Sequence, residues 1–146
     1  MKRNGDEDFG ENLNVVDEPD KRRLLERSVF EAPDKSFWKI DEKEPGSSHP
    51  GVCWVVDVTQ RETVLFKGTS QQPKKSRYLN SYAIIEPNAS NGLNALTYLR
   101  VDDPFTRGIQ RVELLLHNRC RGKLSDDDVK TVEEALNELK GGKHGS

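Results

Sequence analysis

The chain has 146 residues, of which 33% are charged and only 33% hydrophobic, with 23 basic against 25 acidic side chains. Globular domains average about 45–50% apolar residues when glycine is counted, so part of this chain is expected to lie outside a packed core. No stretch approaches the roughly 18 consecutive apolar residues of a membrane span, and the opening MKRNGDEDFGEN lacks the apolar centre of a secretory signal, so a cytoplasmic protein with no membrane partner is expected.

Residues 1–50 read as an acidic extension and linker, rich in Asp, Glu, Lys, Asn, Gly and Pro and ending in the loop-like Glu44-Pro45-Gly46-Ser47-Ser48-His49-Pro50. Within it, Asp17 can cap a short helix over Pro19–Phe30, with Leu24, Leu25, Val29 and Phe30 as a partial apolar stripe. Ser36-Phe37-Trp38-Lys39-Ile40 also carries too much apolar surface for a plain spacer. From Gly51 the pattern changes. Val52, Trp54, Val56 and Val58 alternate with Cys53, Val55 and Asp57, the period-two signal of a buried strand. Thr59–Glu62 then turns the chain into Thr63-Val64-Leu65-Phe66, which predicts a hairpin. A polar loop from Thr69 to Ser76 leads to a strand within Tyr78–Glu86, and Pro87-Asn88-Ala89-Ser90-Asn91-Gly92 is a turn. Two further strands are expected at Leu96–Val101 and Ile109–Leu116, separated by a loop over Asp102–Gly108.

The final element is a helix. Ser125 precedes Asp126-Asp127-Asp128, which places acids on the first-turn amides, and Val129, Val132, Leu136 and Leu139 recur at helical spacing until Lys140 and Gly141 stop it. The expected architecture is mainly β with α (α+β). It is a small SH3-like β-barrel over 51–140, closed by a C-terminal helix, preceded by a largely irregular acidic extension and followed by a flexible tail at 141–146.

Enzyme constellations are sparse. His49, His117 and His144 are scattered, with no cysteine or acid at metal-ligand spacing, so neither a metal nor another cofactor is expected. Cys53 and Cys120 form no Cys-x-x-Cys pair and read as reduced thiols. The charge distribution is more informative. Residues 1–50 carry a net −4, 51–123 a net +5 and 124–146 a net −3. A basic middle suits a polyanion, because phosphate neutralisation releases counterions. Arg61, Arg77, Arg100, Arg107, Arg111, Arg119 and Arg121 offer forks for phosphate, with Lys67, Lys74 and Lys75 as further cations. RNA would supply its own nucleophile, the 2′-hydroxyl.

Gly51-x-x-Trp54-x-x-Asp57, an arginine opening the second strand, Ile84-Ile85-Glu86-Pro87-Asn88-Ala89-Ser90, Leu96-Thr97-Tyr98-Leu99-Arg100-Val101-Asp102 and Arg121-Gly122-Lys123-Leu124-Ser125 before a helix occur in this order. Together they resemble the MazF/PemK-like toxins of toxin–antitoxin modules, over about Gly51–Leu139. The resemblance implies an SH3-like barrel, a homodimer, an antitoxin protein as partner and metal-independent cleavage of single-stranded RNA. It places the family's Arg-Pro motif on Arg61, with Glu62 where proline is usual, and the family's catalytic threonine on Ala89, leaving Ser90 as the hydroxyl. Arg77, with Thr69 or Ser70, is the rival pair if the strands register differently. The expected catalytic set is thus Arg61, Arg77, Ser90 and Thr69, with Lys67, Lys74, Lys75, Arg100, Arg119 and Arg121 on RNA. The alternative is a non-catalytic barrel that binds nucleic acid or a protein. An extension of net −4 beside a middle of net +5 would also allow self-shielding of the groove.

Overall fold

The computed structural model describes residues 22, 24–73 and 81–145, the side chains of the last five excepted. In chain order these form β1 (Ser28–Pro33), a single π-helical turn (Asp34–Trp38), β2 (Ser48–Asp57), β3 (Glu62–Thr69), β4 (Tyr82–Ile85), β5 (Thr97–Arg100), β6 (Phe105–Gly108), α1 (Ile109–Arg119), β7 (Cys120–Lys123) and α2 (Asp126–Gly145). The strands make one sheet in the order β4-β5-β3-β2-β1-β7, with β6 also on β3, and every pairing is antiparallel. The architecture is α+β: a curled, open half-barrel sheet with C-terminal helices.

The chain before Gly51 departs most from the sequence expectation. β1 sits between β2 and β7, with Val29 opposite both Val52 and Gly122. Val29, Phe30 and Ala32 are fully buried. Ser28–Pro33 and the head of β2 from Ser48 therefore belong to the sheet rather than to an extension and linker. Helical residues of the expected Pro19–Phe30 helix occur only before Ser28, because Val29 and Phe30 bury opposite faces as a strand does. The Asp17 cap lies outside the described residues.

Two cores flank the sheet. On one face Phe30, Ala32, Phe37, Trp38, Cys53, Val56 and Leu65 pack with Ile109 and Val112 of α1. On the other, Val29, Val52, Trp54, Phe66, Ile85 and Leu99 pack with Val132 of α2. The β2 alternation does not hold to one face as its spacing suggests. The register shifts between Cys53 and Val55, so Val52 and Trp54 point into one core and Val56 into the other. A bulge inserts a residue and reverses the alternation beyond it. Glu26 accepts the Val56 N–H at 2.8 Å, and the Arg27 guanidinium lies 3.7 Å from the Trp54 ring centroid.

Gly51 is where the first core is tightest. A Cβ there would stand 2.6 Å from two Trp38 ring carbons and 2.9 Å from the Phe30 ring. Gly51→Ala is expected to destabilise the protein by about 2 kcal/mol, within the range for overpacking, and thermal unfolding measures it.

The outer edge of β3 is shared. Glu62–Leu65 pairs with β6 while Gly68 and Thr69 pair with β5, which curls the sheet. A closed strand ladder is absent among the described residues, since β4 and β7 end the sheet. Ser90, in the turn after β4, instead bridges those two edges. Its hydroxyl donates to the Lys123 carbonyl at 2.7 Å, and the Lys123 N–H donates to the Ser90 carbonyl at 2.9 Å.

Two elements differ in kind from expectation. Ile109–Leu116 is helical, the start of α1, because Ile109, Val112, Leu115 and Leu116 meet one core at helical spacing. The expected loop before it contains β6, which covers the first half of β3. The last helix also continues past Gly141, to Gly145.

Candidate functional site

Pro33 ends β1 in extended geometry and leads into the π-helical turn, which closes at Lys39 in the left-handed region. Single π-turns often occur at functional sites. Here the turn carries Asp34 into the protein, 2% exposed. Opposite lies the head of β2, since Ala32 pairs with His49 and Pro33 with Ser48. His49 Nδ1 lies 2.6 Å from Asp34 Oδ1, and the Ser47 hydroxyl donates to Asp34 Oδ2 at 2.7 Å. The carboxylate is acceptor-only, so Nδ1 carries the shared proton, and in the neutral form of the ring Nε2 is the acceptor. Burial alone would raise the Asp34 carboxyl, but the hydrogen bonds from His49 and Ser47 outweigh it and hold it below its ordinary value.

This pair lines a groove of about 630 Å³ whose walls include Glu31, Lys67, Thr69, Ser70 and Arg121. Lys67 comes from β3, opposite Gly51. Burial pushes its amine down, against a smaller upward pull from Asp34. Arg121, on β7, pairs with Glu31 at 3.0 Å, and the Ser48 hydroxyl donates to the other oxygen of Glu31 at 2.6 Å. The groove thus combines a histidine oriented by a buried carboxylate with basic side chains and several hydroxyls. Asp41, Lys43 and Glu44 also line it, so its charge is mixed rather than uniformly basic.

The expected site residues separate. Thr69, Lys67 and Arg121 come together in the groove. Arg61 occupies the β2–β3 turn at a φ of 58°, eight strand residues and roughly 25 Å of chain from Thr69, and its carbonyl accepts the Ile109 N–H. The Ser90 hydroxyl is the sheet clasp. Arg100 bonds Asp102 at 2.8 Å beside the groove, and Arg119 ends α1 on the surface. Lys74, Lys75 and Arg77 lie outside the described residues. Arg107 donates to the Phe37 carbonyl at 2.9 Å and Arg111 to the Ser36 carbonyl, so both fasten the π-turn. Burial pushes the Cys53 thiol up to about 12, consistent with packing.

Asp34, His49 and Glu31 escape the sequence reading because the first two stand 15 positions apart across loop-like chain. The available signal was Phe37-Trp38, apolar bulk where a spacer needs none. No group of three or more His, Cys, Asp or Glu residues placed to hold a metal occurs among the described residues, and none of their helices is long and apolar enough to cross a membrane. No family model and no curated protein matches the sequence.

Proposed function

We propose that the protein is a metal-independent endoribonuclease that cleaves single-stranded RNA, a toxin of toxin–antitoxin type with an antitoxin protein and a second copy of itself as partners. One observation carries the catalytic part: the 2.6 Å Asp34–His49 pair on the wall of a groove shared with Lys67 and Arg121. His49 Nε2 takes the proton of a ribose 2′-hydroxyl, and O2′ attacks the adjacent phosphorus. The P–O5′ bond breaks as the Lys67 ammonium gives a proton to the departing oxygen, leaving a 2′,3′-cyclic phosphate and a 5′-hydroxyl. Arg121 stabilises the charge developing on the phosphorane oxygens.

The resemblance to MazF/PemK-like toxins supports RNA as the substrate, but it places the family's arginine on Arg61, at the other end of β3 from this groove, so the Asp34–His49 pair stands on its own geometry. On the same reading the half-barrel is an SH3-like barrel whose open seam Ser90 bridges. The mixed charge of the groove favours a second reading, a binding module with no cleavage.

The two readings part on a single-stranded oligonucleotide tested with ribose or 2′-deoxyribose at the cut position. Cleavage of the ribose form alone, with cyclic phosphate ends, is expected; cleavage of both forms would sink the mechanism, and cleavage of neither would favour the binding module. Lys67→Ala is expected to weaken RNA binding for every sequence and to lower the salt slope by about one, measured by titration at several salt concentrations.

A further inference from the structure

Beside the groove lies a second cavity of about 200 Å³, walled by Tyr82, Tyr98 and Phe105 with Lys67, Arg100 and Asp103 as its charged groups. The two share a wall, since Ile40, Lys67 and Thr69 line both. The smaller one falls below the usual range of about 300–1,000 Å³ for sites that enclose a whole small ligand, so it suits one ring system attached to something that lies in the groove. Its aromatic walls are firmly placed. Tyr82 and Tyr98 meet edge to face at 6.4 Å, and the β4–β5 ladder sets Tyr82 opposite Arg100 and Ile84 opposite Tyr98.

We infer that this cavity receives one unstacked nucleobase of the RNA strand whose phosphate lies against Lys67, and so sets the sequence at which the chain is cut. This deepens the proposed ribonuclease function and rests on it. Single-stranded RNA is read where splayed bases stack on aromatic rings and pair along their edges. Tyr82 and Phe105, both half-buried, supply apolar ring surface. The Asp103 carboxylate accepts only, so it selects for a base edge that donates. Arg100, which also lines the cavity, is already engaged by Asp102. Lys67 sits between the two spaces, which ties the base to the phosphate beside it.

The test compares wild type with Tyr82→Ala, Tyr82→Phe and Asp103→Ala on a mixed-sequence RNA with mapped cut sites, and on binding of a 2′-deoxy-blocked oligonucleotide. Tyr82→Ala is expected to weaken binding about tenfold, in line with the loss of one stacked base, and to scatter the cut positions. Tyr82→Phe keeps the ring and is expected to restore both. Asp103→Ala is expected to change which base is preferred at one position while cleavage continues. Unchanged affinity and unchanged cut positions in Tyr82→Ala and Asp103→Ala, in folded proteins that still cleave, would overturn the inference and leave the ribonuclease reading standing. A wild type that neither binds nor cuts RNA would overturn both.

Discussion

His49→Ala is expected to lower RNA cleavage by about 10²–10⁴-fold, the usual contribution of a positioned general base, and to lower the unfolding temperature by a few degrees, because the buried Asp34 carboxylate loses one donor. The imidazole is 30% exposed while its carboxylate partner is 3% exposed, so His49 is the member of the pair that meets solvent and substrate. Asp34→Asn keeps the shape but presents an amide to Nδ1. If the amide NH₂ faces the ring, the tautomer reverses and Nε2 no longer accepts a proton, so a large loss of cleavage is expected here as well. Asp34 also anchors the Ser47 hydroxyl, and its N–H donates to the Ser47 carbonyl at 3.0 Å. Asp34→Asn keeps that backbone bond and an oxygen for Ser47, whereas His49→Ala leaves the buried carboxylate one donor short, so His49→Ala is expected to lose more thermal stability than Asp34→Asn. Equal cleavage by wild type and His49→Ala would remove the histidine from the mechanism.

The largest stability effect is expected at Asp128. Its carboxylate accepts the Ser125 N–H at 3.0 Å, the Asn91 side-chain amide at 3.0 Å and that of Asn88 at 3.0 Å, while the Asp128 N–H donates to the Ser125 hydroxyl at 3.1 Å. Ser125 and Asp128 thus form a reciprocal cap at the start of α2. The same carboxylate fixes the turn that holds the Ser90 clasp. Asn91 is fully buried and Asp128 is 7% exposed. Hydrogen bonds to a charged group contribute about 1.5–3 kcal/mol each when made, and a lost cap costs about 1 kcal/mol. Asp128→Ala is expected to cost about 3 kcal/mol in all, roughly 10 °C in unfolding temperature; a loss below about 1 kcal/mol would mean that the network relaxes onto water.

Acid should expose the same network. Burial alone would raise the Asp128 carboxyl, but its bonds from Ser125, Asn88 and Asn91 hold it below its ordinary value, as those on Asp34 do. A folded-state value below the unfolded one adds stability that is complete above the unfolded value, near 3.8, and is lost as pH falls through the folded one. Stability is expected to fall as pH drops below about 4. Asp128→Asn should make that fall shallower, with Asp34 supplying the remainder.

The legible parts of the sequence are those where one local signal decides. The β2–β3 hairpin follows from its alternation and polar turn, and α2 from its cap and apolar spacing. The opening segment is harder, because its strand is only six residues and its charge count resembles that of a tail. Val29-Phe30 packs by two faces against sequence-distant partners, a long-range fact that composition does not carry. Ile109–Leu116 is apolar enough to read as a strand, and the i, i+3, i+6, i+7 spacing by which it meets one core decides for helix. The site divides in the same way. Lys67 and Thr69 could be picked by residue type on a well-marked strand, whereas Asp34 and His49 meet only because β1 and β2 pair in register. Ser90 shows the converse, a hydroxyl chosen for chemistry that the fold uses as a fastener.

The most direct measurement is cleavage of a long, mixed-sequence RNA by the full chain in EDTA, with His49→Ala and Arg61→Ala prepared identically. Discrete products from wild type and Arg61→Ala, lost in His49→Ala, are the expected result and place the chemistry in the Asp34–His49 groove. Cleavage that persists in His49→Ala and disappears in Arg61→Ala would contradict it and move the active site to the far end of β3.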